Sequence, residues 1–161
     1  MDDAHFEDFY RKTAGALWTY LFRLCGDAAT ADDLLQKAFL KLLRTNPNVP
    51  SDDDLRNWLF RVATNTAFDH FRRSKRDRMR LSDFRDDRVV PPRPDLDHDV
   101  ARAFGELTQR ERAMLWLAHV ERAGHDEIGD ALGVKSASVK VLLFRARKRL
   151  RALLSKRGLA P

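Results

Sequence analysis

The chain of 161 residues is 43% apolar, enough for one ordinary domain or two small ones, and carries a net charge of +6. No run approaches the roughly 18 uninterrupted apolar residues of a membrane span, and the acidic start MDDAHFEDF lacks the basic end and apolar core of a secretion signal, so a soluble cytoplasmic protein is expected. The single cysteine, Cys25, has no partner for an intrachain disulfide and no zinc-site spacing around it, and reads as a small buried thiol.

No stretch alternates apolar and polar residues long enough for a convincing strand, whereas helical periods run through most of the chain, so the fold class is all-α. Along the chain, the first informative helix begins near Thr30, with Thr30 and Asp33 resembling a capping box. Ala31, Leu34, Leu35, Ala38 and Leu42 form a core-facing stripe, while Gln36, Phe39, Leu40 and Leu43 form a second apolar stripe at the same spacing. One helix does not bury both stripes on the same neighbour. Either it lies deep between helices, or the second stripe meets a partner protein with Asp33 and Gln36 as polar recognition points.

Pro47 and Pro50 break the pattern. The next helix contains WLFRVATNTAFDHFRRSKR, in which Leu55, Trp58, Leu59, Val62 and Ala63 make a core stripe. Arg61, Asn65, Asp69, Arg72 and Arg76 recur at helical spacing on another face, with Phe60, Phe68 and Phe71 on neither. Over residues 55–80 there are eight basic residues against two acidic ones. Rings beside a basic, amide-bearing face suit single-stranded nucleic acid, which offers bases to stack and phosphates to pair, although a lone Trp58 is more readily read as core packing.

Residues 81–99 carry three prolines and many aspartates without apolar period and read as a linker, dividing the chain into units 1–80 and 100–161. The second unit holds thirteen basic residues against six acidic ones over 101–161, so positive charge sits in two blocks and points to a polyanion touched twice. Thr108 and Glu111 form a capping box for a helix burying Met114, Leu115, Leu117 and Ala118; Gly124 ends it, HDEIGDAL forms a short helix, and Gly133 makes the turn. Ser136 is the expected N-cap of a last helix with the buried stripe Val139, Leu143, Ala146 and Leu150. Short helix, glycine turn and longer basic helix is the helix-turn-helix pattern, and Lys140, Phe144, Arg145 and Lys148 lie off the buried stripe, where they face DNA in that reading. A plain three-helix bundle with a basic tail is the alternative. For an enzyme, Asp69-His70 and His125-Asp126 are the tempting pairs, but neighbours on a helix point about 100° apart and make a poor metal clamp or acid/base pair. No metal, cofactor or catalytic residue is expected.

Three segments in order, ATADDLLQKAFLKLL, WLFRVATNTAFDHFRR and HDEIGDALGVKSASVKVLLFRARKRL, resemble the bacterial extracytoplasmic-function (ECF) sigma factors of the sigma-70 superfamily, over about residues 6–76 and 101–154. The resemblance implies a region 2-like domain at 1–80 and a region 4-like helix-turn-helix at 100–161. It implies docking of Asp33, Gln36, Phe39, Leu40 and Leu43 on the β′ clamp helices of core RNA polymerase, with the β flap as a further polymerase contact. The segment with Trp58, Leu59, Arg61, Val62, Ala63 and Asn65, with the preceding loop from Asn46 to Asp54, would capture the melted −10 non-template strand. Asn48, Asp69, Arg72, Arg73 and Arg76 join that set, and Lys75 adds a phosphate contact. Ser136, Ser138, Lys140, Val141, Phe144, Arg145, Arg147 and Lys148 would bind the −35 duplex.

This sequence departs from the family pattern at Lys37, where an acidic residue is common, at Val141 and Leu142, which replace Ser-Arg, and at Ser138, which replaces Thr. By the resemblance the protein catalyses nothing and directs promoter-specific initiation. The chain shows neither an acidic N-terminal inhibitory domain nor a long C-terminal extension, so a separate anti-sigma factor is expected to silence it. With polymerase docking accounting for the surplus apolar surface, a monomer is expected when free. A stand-alone helix-turn-helix regulator would explain residues 101–154 but neither the double-faced nor the aromatic-basic helix.

Overall fold

The computed structural model describes residues 1–80 and 98–159. Every regular element among them is a helix, in two compact units. The first unit holds α1 (Asp3–Cys25), α2 (Ala28–Thr45) and α3 (Asp52–Arg80); the second holds α4 (His98–Gly105), α5 (Gln109–His119), α6 (His125–Leu132) and α7 (Ser136–Lys156).

In the first unit the three helices pack on one another around Leu17, Tyr20, Leu21 and Leu24 of α1, Ala31, Leu34, Ala38 and Leu42 of α2, and Leu55, Leu59, Ala63 and Ala67 of α3, all buried. Each large apolar side chain in such a core contributes roughly 1.5–3 kcal/mol by leaving water. Tyr20 carries its hydroxyl into that interior because Thr64 meets it: the two oxygens lie 2.8 Å apart, and the Thr64 hydroxyl also donates to the Phe60 carbonyl at 2.7 Å. The α1–α2 corner is fixed locally. Gly26 adopts the left-handed φ of 72° that a helix C-cap requires, and the next residue, Asp27, caps α2 by accepting from the Thr30 N–H at 3.0 Å. The helix therefore starts at Ala28, and the expected Thr30–Asp33 capping box is replaced by this Asp27 cap. Asp33 instead pairs with Lys37.

α3 begins at Asp52, so Asp52 to Asp54, expected in the loop, form its first turn. Ser51 receives the Asp54 N–H at 3.2 Å. Three carboxylates there complement the positive helix end. His5 Nε2 reaches Asp52 Oδ1 at 2.8 Å, fastening the start of α1 to the start of α3.

The second unit starts earlier than the sequence pattern indicated. His98 and Asp99, taken as linker, belong to α4, whose Ala103 is buried; the remaining linker residues, 81–97, lie outside the described residues. The Thr108–Glu111 capping box forms as expected, with bonds of 3.1 and 2.9 Å. α5 ends at His119, and Gly124 is the N-cap of α6 rather than the end of α5; its N–H donates to the Glu127 carboxylate at 3.3 Å. Met114, Leu115 and Leu117 are buried as expected, while Ala113 takes the place assigned to half-buried Ala118.

The α6–α7 turn is built on two glycines. Gly133 holds φ 69°, and a Cβ at Gly129 would lie 2.7 Å from the Val134 carbonyl oxygen. Lys135, not Ser136, occupies the N-cap of α7. Val139, Leu143 and Ala146 are fully buried and Leu150 half-buried. The far end of α7 is clipped back by Arg149 to Glu111 at 3.0 Å and by Arg157, whose two terminal nitrogens reach the Glu106 carboxylate at 3.2 and 2.9 Å.

Candidate functional site

Three surfaces collect the residues singled out by the sequence. The first is a groove of about 250 Å³ lined by Tyr10 of α1 and Leu35, Gln36, Phe39, Leu40 and Leu43 of α2. Leu40 and Leu43 are 47% and 53% exposed, so the second stripe of α2 is largely unburied within the fold. Phe39 differs: it is 5% exposed, with its ring centroid 4.7 Å from that of Tyr10 and 6.1 Å from that of Phe6. It forms the floor of the groove rather than a protruding contact. Asp33 and Gln36 are exposed one helical turn apart. Tyr10, 43% exposed, was missed by the sequence reading; the i, i+4 pair Phe6–Tyr10 was the available signal.

The second surface is the outer side of α3. With about 100° per residue, Trp58, Arg61, Asn65, Asp69, Arg72 and Arg76 fall within an arc of about 80°. Asn65, Asp69, Arg72 and Arg76 are exposed and Arg61 half-buried. Trp58, assigned to the core stripe, is half-buried and edges this same polar arc, while Phe60, assigned to neither face, is buried with its ring 5.5 Å from that of Tyr20. Arg72 and Asp69 form an ion pair. Arg73 and Lys75 are exposed on neighbouring flanks, and Asn48 is exposed in the loop between α2 and α3. Phe68 and Phe71 engage each other edge-to-face at 5.7 Å.

The third surface is the outer face of α7. Lys140, Val141, Phe144, Arg145 and Lys148 are exposed side by side over the helix's first four turns, with Ser138 exposed and Ser136 half-buried at its start. Leu142 is half-buried toward the core. Arg147 does not join them: its Nε donates to His119 Nε2 at 3.1 Å, turning the guanidinium onto α5. Arg151, which sequence reasoning left out, is exposed and continues the face one turn beyond Arg147 and Lys148. Beside it runs an apolar groove of about 570 Å³ lined by Phe104, Leu115, Trp116, Val120, Leu150 and Leu154. The premise that docking on α2 uses up the apolar surface is therefore overturned.

Among the described residues no cluster of three or more His, Cys, Asp or Glu is arranged to hold a metal ion, and no helix is long and apolar enough to cross a membrane. Neither tempting acid/base pair stands, among the described residues, at the centre of a cluster of titratable groups within its own unit. Asp69 is tied to Arg72, His70 Nε2 lies 3.4 Å from the Ser74 hydroxyl, and His125 and Asp126 are exposed in the first turn of α6.

Two domain signatures match this architecture: Sigma-70 region 2 over residues 9–77 and Sigma-70, region 4 over residues 97–150. The ECF RNA polymerase sigma factor SigL of Mycobacterium tuberculosis is 31% identical over 92% of this chain and 88% of its own length. SigE of Mycolicibacterium smegmatis is 31% identical over 93% of this chain, and SigG of M. tuberculosis 27% identical over 93%. The chain spans 62% of the SigE length and 48% of the SigG length. The fold is shared with the sigma factor RpoE of Bartonella quintana, solved in complex with the anti-sigma factor NepR, at a TM-score of 0.80 and 22% identity over 94% of this chain and 97% of that one. Two sigma-70 domains in this order define a sigma factor of the sigma-70 superfamily. Within that class the chain belongs to the ECF RNA polymerase sigma factors.

Proposed function

We propose that the protein is an alternative sigma factor that binds core RNA polymerase and directs initiation at its own promoters, acting in the cytoplasm and catalysing no reaction itself. The observation that carries this reading is that both cationic helix faces, on α3 and α7, occur in one chain of the family together with an unfilled apolar groove on α2. Region 2 occupies residues 1–80 and region 4 residues 100–161, extended by the observed start of α4.

In this mechanism the groove of Tyr10, Leu40 and Leu43, rimmed by Asp33 and Gln36, takes the β′ clamp helices, and the groove of Trp116 and Val120 takes an apolar element of the β flap. The outer face of α7 enters the major groove at −35. Trp58, Arg61 and Asn65, with the loop bearing Asn48, hold the unpaired −10 strand. Melting gives up about 1.4 kcal/mol of stacking per base-pair step, and base–aromatic stacking returns about 1–3 kcal/mol per base. Arg72, Arg73, Lys75 and Arg76 pair with phosphates and make binding steeply salt-dependent. RpoE is solved in complex with the anti-sigma factor NepR; an anti-sigma protein of this chain would act by covering these docking surfaces.

The test is transcription by purified core polymerase, with and without the protein, on a random promoter library. Protein-dependent transcripts with shared −35 and −10 patterns are expected. Duplex binding without stimulation would leave the stand-alone helix-turn-helix regulator, a reading that gives no use to the α2 groove or the α3 face.

A further inference from the structure

The outer face of α7 mixes two chemistries. Lys140, Arg145 and Lys148 are exposed cations, and among them stand Val141, 50% exposed, and Phe144, at 63% the most exposed large apolar side chain among the described residues. Three positions apart, the two lie about 4.5 Å apart along the helix axis and about 60° apart around it, so they form one continuous apolar spot. Surrounding cations select a polyanion as its occupant. The spot selects what that polyanion must present at its centre.

Duplex DNA offers little that is apolar. In the major groove every base edge shows hydrogen-bond donors or acceptors, and the apolar exception among the four bases is the C5 methyl of thymine. A valine or phenylalanine pressed against a polar edge strips its water and returns no hydrogen bond. Against a thymine methyl the same side chain loses nothing and removes apolar surface from water. Val141 suits such a contact because a β-branched side chain in a helix keeps one dominant rotamer, so its methyls are already fixed before DNA arrives. Leu142 is turned inward and takes no part.

We infer that Val141 and Phe144 read thymine methyl groups, so that the duplex element recognised by α7 contains thymine, on either strand, at the positions facing them. This rests on α7 being the duplex-reading helix of the proposed sigma factor, and it names a base preference that the polar residues of the face do not provide.

The experiment uses the full chain with core polymerase. The preferred −35 duplex is first selected from a random library, and each of its thymines is then replaced singly by deoxyuridine, which removes one methyl group and leaves every pairing and hydrogen-bonding group intact. Weakening of about threefold to tenfold is expected at one or two positions, from the burial of a single methyl. The Val141→Ser and Phe144→Ala variants, checked for unchanged helicity, are expected to lose sensitivity to deoxyuridine at their own positions. 5-Methylcytosine at those positions should bind better than cytosine. A sequence-specific −35 element indifferent to deoxyuridine at every thymine would overturn the inference and leave the sigma reading standing. Deoxyuridine sensitivity that survives both substitutions would overturn it as well, since another group would then be reading the methyl. Absence of any −35 sequence dependence would remove the underlying reading of α7, and the inference with it.

Discussion

Lys37 Nζ lies 2.9 Å from Asp33 Oδ2, one helical turn along α2, so the acidic group that we propose meets the polymerase already holds a cation of its own. Both side chains are about half exposed, and pairs of this kind are worth about 0.2–0.5 kcal/mol. Replacing Lys37 with alanine releases Asp33 and should tighten binding to core polymerase about twofold, with a steeper loss at high salt. Asp33→Ala should weaken binding and abolish the Lys37 effect. Titration of core polymerase with the four proteins of this double-mutant cycle tests the coupling directly; additive effects would show that the pair does not matter for docking.

Trp58 edges the polar arc of α3 instead of filling the core. Trp58→Ala should lower open-complex formation about tenfold, within the 1–3 kcal/mol of a base–aromatic stack, while Trp58→Phe keeps most of the activity. Permanganate reactivity of the −10 region measures the opening. A promoter with a pre-melted −10 segment should recover much of the loss in Trp58→Ala, which a purely structural defect would not allow.

Gly129 has the Val134 carbonyl where its Cβ would go. Alanine there gains about 1 kcal/mol of helix propensity but must displace backbone at the α6–α7 turn, at about 1–3 kcal/mol or more. The second unit should lose stability on balance, seen as a lower Tm and weaker −35 binding with polymerase docking through the first unit unaffected. Gly15, which has open space around it on α1, is the control: Gly15→Ala should leave Tm unchanged or raise it.

At the end of α7, hydrogen bonding from Arg157 holds the Glu106 carboxyl below its ordinary value against an opposing desolvation, with smaller favourable contributions from the charges of Arg157 and Lys156. A carboxylate depressed in the folded state contributes stability that is complete above its unfolded value, about 4.3, and drains away as pH falls through the folded one. The clip should therefore stay closed at neutral pH and release only in acid. Carboxyl-carbon NMR should show a low Glu106 midpoint, and Arg157→Gln should return it to the usual range.

The helix-turn-helix was legible because its boundaries are written in neighbouring residues. Thr108 and Glu111 meet across one turn, and glycine takes the left-handed φ of Gly133 at the least cost of any residue. The failures involve distant partners. Phe39 reads as a protruding docking residue because its stripe is apolar, yet Phe6 and Tyr10, from a different helix, pack against its ring and leave it as the floor of the groove. Arg147 matches the family motif, but His119, 28 residues away, draws it off the outer face. Trp58 sits at the border between two stripes, where spacing alone does not tell packing from exposure. Asp27 and Thr30 both suit a helix start; the left-handed Gly26 immediately before Asp27 decides between them.

α3 is a single rod of 29 residues, about 43 Å long, that begins with Asp52, Asp53 and Asp54 and turns cationic from Arg72 onward. The rod is therefore electrically one-ended. A phosphate chain is pushed off at the acidic tip and drawn along the basic shaft, because the full side-chain charges outweigh the partial charges of the helix dipole, which is positive at the Asp52 end and negative at the far end. A polyanion laid along such a gradient is favoured toward the basic end and disfavoured beside the Asp52–His5 contact, so the change of sign along α3 gives the helix a built-in polarity toward any phosphate chain.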